Sequence, residues 1–242
     1  MDTSLQQSNG ASRRSFIDTS FKFIALAGIS GLGLGSCKHK EDEGGDEKEV
    51  SPPEDLMQEH GLLNRILLIY DTCRQHLINK ESFDGDALNR AATIIRSFVE
   101  DYHEKQEEQY LFPRFRKVNT LTDLVAILLQ QHNAGRAITD HVLQLSQLKS
   151  PSDTETQKLI TLLTGFNRMY RPHEAREDTV LFPAFRKIVS KHEYDSLGEE
   201  FEKNEHKLFG SDGFDMMVSK VADIEKTLGI YDISQFTPEL SN

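Results

Sequence analysis

The stretch His103-Glu104-Lys105-Gln106-Glu107, followed by Leu111-Phe112-Pro113 and Phe115-Arg116-Lys117, is written twice in this chain. The second copy lies 70 residues on: His173-Glu174-Ala175-Arg176-Glu177, then Leu181-Phe182-Pro183 and Phe185-Arg186-Lys187. In each copy a His and a Glu stand one helical turn apart and project from the same face. Imidazole and carboxylate are ligands for iron, zinc or manganese. The duplicated His-x-x-x-Glu therefore points to a binuclear site assembled from two similar halves.

The duplication reaches further back. His60 precedes His103 by 43 residues and His132 precedes His173 by 41. The repeated unit is thus a helical hairpin carrying His, then His-x-x-x-Glu. A long period can mark a solenoid, but two copies are too few, and two helical hairpins close into a four-helix bundle. The first helix opens at Ser51-Pro52-Pro53-Glu54, a capping box with Pro at the first helical position. Its apolar seam is Leu56, His60, Leu63, Leu67 and Tyr70. The second helix starts near Asp86 and lines up Leu88, Ala92, Ile95, Val99, His103, Glu107 and Tyr110. The third opens at Thr120-Leu121-Thr122-Asp123, a cap signal, with the seam Leu121, Val125, Leu128, His132, Gly135, Thr139 and Val142. The fourth opens at Ser152-Asp153-Thr154-Glu155, with the seam Leu159, Leu162, Phe166, Met169, His173, Glu177 and Val180. Each of the four His lies on a stripe with the spacing of a buried helix face.

The numbering also tests their height. In an antiparallel hairpin, residues equidistant from the turn share a level. The midpoint of His60 and His103 falls beside Ser82-Phe83-Asp84-Gly85. That of His103 and His132 falls just before Asn119-Thr120, and that of His132 and His173 inside Ser150-Pro151-Ser152-Asp153. All three are turn chemistry. An up-down-up-down bundle then gathers His60, His103, His132, His173, Glu107 and Glu177 in one layer. Buried carboxylates are costly unless paired or metal-bound. His76 and His141 fall on other helix faces and are expected at the solvent; His192 sits at a helix start, and His206 on a fifth helix outside the repeat.

The N-terminal part is set apart from the fold. Ser12-Arg13-Arg14-Ser15-Phe16-Ile17 looks like a twin-arginine export motif, Phe21 to Gly35 is apolar, and Leu34-Gly35-Ser36-Cys37 resembles a bacterial lipobox. The apolar run is shorter than the roughly 20 residues that span a bilayer. Residues 1–36 read as an export signal and Cys37 as the lipid-bearing residue of an exported, membrane-anchored protein on the periplasmic or cell-surface side. Residues 37–53, rich in Glu, Asp, Lys and Gly, read as a disordered acidic tether. The bundle is expected over 54–190 and a C-terminal helical extension over 191–242. The net charge of −11 argues against nucleic acid, whose affinity comes from Lys and Arg on phosphates. With Cys37 lipidated, Cys73 stands alone, so stability must come from packing or metal.

Over about residues 54–190 these motifs resemble the hemerythrin-like, or HHE cation-binding, family. The resemblance implies an all-α four-helix bundle around a non-haem di-iron centre. Glu107 and Glu177 would bridge the irons, and His60, His103, His132 and His173 would be terminal ligands. It implies a small ligand such as O2, NO or peroxide, or a role in sensing oxygen or iron. Two departures stand out. Oxygen carriers of the family have His-x-x-x-His on the third helix, and here Arg136 follows His132 by one turn. They also use an Asp five residues after the last His; Asp178 is there, but repeat symmetry favours Glu177. The missing His counts against stable O2 carriage and for sensing, scavenging or redox chemistry. A binder is favoured over an enzyme; the alternatives are a di-iron oxidase or peroxidase and a metal-stapled structural domain. A ferritin-like fold would need two Glu-x-x-His pairs, and the chain has one, Glu100-x-x-His103.

Overall fold

The computed structural model describes residues 51–82, 84–210 and 213–239. The export motif, Cys37 and nearly all of the tether lie outside the described residues. The described chain is helical, without strands. Four long helices, α1 (Pro52–Asn79), α2 (85–117), α3 (Thr122–Ser146) and α4 (153–188), form the expected up-down-up-down bundle. Each packs on its sequence neighbours, and α1 packs on α4 to close the ring. Then α5 (Lys191–Phe209) lies against α1, and α6 (Gly213–Thr227) against α1, α2 and α5.

Local chemistry sets the helix ends. Ser51 and Glu54 form the capping box of α1, and Ser152 and Glu155 that of α4. The helix α1 begins at Pro52, so Pro52 and Pro53 are buried in its first turn instead of ending the tether. Asp84 caps α2 through the amide of Ala87. The expected side-chain cap of α3 is not made. Thr120 donates its hydroxyl to the Val118 carbonyl, and the helix starts after Leu121, held at φ +51°.

Two elements depart from plain α-helix at matching places. Glu107–Leu111 in α2 and Glu177–Leu181 in α4 are π turns, with Phe112 and Phe182 donating their amides to the carbonyls of Glu107 and Glu177. A second π segment, Ile95–His103, precedes the first of these. The wider turn delays the buried stripe by one residue. Leu111 and Leu181 are therefore fully buried where the 3-4 pattern selects Tyr110 and Val180, which are only half-buried. Upstream on α4, Leu163 and Tyr170 are buried one residue past Leu162 and Met169, which are only half-buried. Tyr170 reaches across to α3 where Gly135 leaves room; a Cβ there would lie 2.0 Å from the tyrosine hydroxyl oxygen. The fourth helix runs through Pro172 as far as Arg176 without interruption.

The buried layer of His and Glu separates two apolar clusters. One, around Leu63, Leu67, Tyr70, Phe98 and Phe166, is shared with α6 through Met217, Val221 and Ile224. The other, at the end where α2 and α4 finish, is built from the repeated motif itself: Leu111, Phe112, Phe115, Leu181, Phe182 and Phe185.

Candidate metal centre

The height argument is met in full. His60, His103, His132 and His173 are each at most 4 % exposed, and Glu107 and Glu177 are at 0 %. The rings come in two pairs. The Nε2 atoms of His60 and His103 are 3.1 Å apart, and those of His132 and His173 are 3.2 Å apart. The two carboxylates run between the pairs. Glu107 Oε2 lies 3.9 Å from His103 and 3.4 Å from His132. Glu177 Oε2 lies 3.4 Å from His60 and 3.2 Å from His173. Each carboxylate thus touches one ring of each pair, as a bridge must. The donor atoms of Glu107, His132, His173 and Glu177 all lie within 4.8 Å of one another, as do those of His60, His103 and Glu107.

The outward nitrogens are held in place, and here too the two halves match. His60 Nδ1 donates to Asp178 at 2.8 Å, and His132 Nδ1 to Glu108 at 3.1 Å. Asp178 and Glu108 each follow the Glu of their repeat by one residue. His103 Nδ1 donates to Glu59 at 2.7 Å, and His173 Nδ1 to Gln131 at 2.9 Å. Glu59 and Gln131 each precede the first His of their repeat. A His that donates through Nδ1 presents its Nε2 lone pair inward, as metal-ligating rings do. Phe182 stacks on His60 at 5.6 Å and Phe112 on His132 at 5.5 Å, so the Phe of each Leu-Phe-Pro lids a ring.

The centre calls for positive charge. None of the four oxygens of Glu107 and Glu177 has a hydrogen-bond partner, and buried carboxylates in that position are costly. Burial, then the neighbouring Glu177, push the Glu107 carboxyl well above its usual range. Burial opposes ionisation of Glu177 too, but His173 and His60 outweigh it and hold that carboxyl low. Burial likewise opposes charge on His60, yet Asp178 and Glu177 push it up to about 10. Without a metal, protons favoured on Glu107 and on His60 offset the charge. A metal ion would answer the two carboxylates better, so the residues fit the group.

Arg136, the residue standing where a further ligand His was missed, clamps two acids. Its guanidinium lies 2.6 Å from Glu104 and 2.7 Å from Glu108, and Tyr170 donates its hydroxyl to Glu104 at 2.7 Å. Glu104, Glu108 and His132 also lie close enough to share a cation, and Arg136 already supplies one. Asp178 faces the outer nitrogen of His60 and is about a third exposed. His141, His192 and His206 are exposed and His76 is half-buried, all outside the layer. Glu100, the acid of the single Glu-x-x-His, is buried against Arg96 at 2.8 Å and stays out of the cluster. The orienting residues Glu59, Glu108 and Gln131 were not found from apolar periodicity; their signal is their fixed offset from the ligands in both repeats.

Fold and site together define an all-α, cation-binding bundle. The chain belongs to the family of the hemerythrin HHE cation binding domain, which matches residues 51–185. It is 46% identical over 217 residues to the uncharacterized proteins Rv1995 of Mycobacterium tuberculosis (strain H37Rv) and Mb2018 of Mycobacterium bovis, covering 89% of this chain and 85% of each of theirs. No solved structure matches it significantly.

The buried acids beside the centre fix a pH dependence. Burial pushes Glu104 and Glu174 up to about 8. A carboxyl raised in the folded state contributes stability that is full below its usual range and lost as pH rises through the raised value. With metal withheld by a chelator, stability in urea should therefore fall from about pH 6 to about pH 9. Constant or rising stability over that range would contradict these environments.

Proposed function

We propose that the chain is a non-haem di-iron protein that binds or senses a small ligand such as O2, NO or peroxide. The observation that carries this is the pair of carboxylates, Glu107 and Glu177, each spanning both His pairs with no hydrogen-bond partner for its oxygens among the described residues. His60 and His103 would hold one iron, His132 and His173 the other. Each metal would then be held by two nitrogens and the two carboxylates, a donor set that would leave positions open to an added ligand. Near-complete burial of the six side chains favours a ligand of very few atoms. The iron would supply reversible one-electron chemistry at the ligand. The chain's own part is to orient the four rings, exclude bulk water through Phe112 and Phe182, and keep the carboxylates bridging. Arg136, standing at the sequence position of a fifth His, cannot ligate, and its guanidinium is held by Glu104 and Glu108. This supports sensing or scavenging over stable carriage. The test is the visible spectrum of the anaerobically reduced, iron-loaded protein. New ligand-to-iron bands should appear on adding O2, NO or peroxide, and an unchanged spectrum with all three would refute the reading.

The location is proposed from the sequence. Arg13-Arg14, the apolar run and Leu34-Gly35-Ser36-Cys37 stand in the order an exported lipoprotein requires. Among the described residues no helix is long and apolar enough to cross a membrane; the attachment proposed is lipid at Cys37. A single acyl chain anchors only marginally, so lipoprotein-type modification with several chains is required. On cell fractionation the wild type should follow the membranes and Cys37→Ser should lose the mature, membrane-bound form. A wild type that stays in the cytoplasm with residues 1–36 attached would contradict both export and anchor.

A further inference from the structure

The two halves of the centre match in ligands but not in charge. At the positions that hold the outer ring nitrogens, the His60–His103 pair has two carboxylates, Asp178 and Glu59, at 2.8 and 2.7 Å. The His132–His173 pair has one carboxylate, Glu108, and the neutral amide of Gln131. Glu108 is further neutralised by Lys105 at 2.6 Å and Arg136 at 2.7 Å, whereas among the described residues the only ion pair of Asp178 is with His60. One turn after the first His of each repeat, the buried acid Glu174 is met by neutral Asn64, while its counterpart Glu104 is met by the cation Arg136. Every one of these differences between repeat-related positions makes the His60–His103 side the more negative.

We infer that the two metal positions are inequivalent: the His60–His103 position binds a divalent cation more tightly and fills first, and Glu59 against Gln131 sets much of the difference. The inference rests on the dinuclear reading above. A carboxylate accepting from Nδ1 raises the basicity of a ligating imidazole, and the identity of such a partner commonly changes metal affinity by about 10- to 100-fold. A net negative surround adds to this in a buried site, where charges are poorly screened. The His132–His173 position is then the weaker and more exchangeable of the two.

The probe is Zn(II), a divalent ion without redox chemistry, added to the full chain after chelator treatment. At one equivalent, anomalous diffraction at the zinc edge should show the ion between His60 and His103. Calorimetry should resolve two unequal binding steps. Glu59→Gln keeps an acceptor for His103 and removes only charge; it should weaken the tighter step by about 10- to 100-fold. Gln131→Glu should strengthen the weaker step, a gain that a merely structural role for residue 131 would not produce. In the double variant, Glu59→Gln with Gln131→Glu, the preference should shift toward His132–His173. Two ions bound at full loading, with equal occupancy at one equivalent or preference for His132–His173, would overturn this inference and leave the dinuclear reading intact. Zinc bound at neither position would overturn both.

Discussion

Glu177→Ala should strip the protein of most of its metal, whereas Asp178→Ala should leave a centre that binds about 10- to 100-fold more weakly. The two residues are neighbours, yet they face different parts of the site. Glu177 is fully buried and reaches the inward nitrogens of His60 and His173, one from each pair. Without it neither metal position keeps its full donor set, and among the described residues no other acid spans the pairs on that side. Asp178 reaches only the outward nitrogen of His60. Its loss frees one ring to turn but removes no donor. Metal analysis of the purified variants measures the difference. The reverse ranking would assign α4 to the His-x-x-x-x-Asp pattern of the oxygen carriers and remove Glu177 from the bridge.

Glu107→Gln should act in opposite directions on the two forms of the protein. The loaded form loses a bridge, so metal content falls. The chelated form gains stability, because a buried carboxyl that must hold a proton to sit beside Glu177 is replaced by a neutral amide that can donate to it. Leaving a buried polar group unsatisfied costs about 1–3 kcal/mol, and more when it is charged. At roughly 2–4 °C per kcal/mol for a domain of this size, the chelated variant should melt several degrees above chelated wild type. Calorimetric scans with and without chelator would show the crossing. A chelated variant less stable than wild type would mean that Glu107 has a structural partner and is not held in readiness for a cation.

The bundle and the ligand layer were legible because they rest on spacing alone. Four His on four apolar stripes, with midpoints at three turns, leave antiparallel geometry little choice. What spacing could not supply is local winding. The π turns at Glu107–Leu111 and Glu177–Leu181 let one extra residue into the turn, which moved the buried positions from Tyr110 to Leu111 and from Val180 to Leu181. The cap of α3 was misread because Thr120 spends its hydroxyl on Val118. The orienting residues were missed for another reason. Glu59, Glu108 and Gln131 lie on the flank of each seam, where a polar side chain looks like an ordinary solvated one, and their role shows only once a neighbouring helix stands opposite. Arg136 was legible as the absence of a fifth His; its clamp on Glu104 and Glu108 needed the fold.

Diffraction at the iron absorption edge from iron-loaded crystals would locate a dinuclear centre spanned by Glu107 and Glu177. Two anomalous peaks per chain are expected, one beside His60 and His103 and one beside His132 and His173, each in contact with both carboxylates. A single ion seated at Glu104, Glu108 and His132, or iron bound outside the four-His layer, would contradict it.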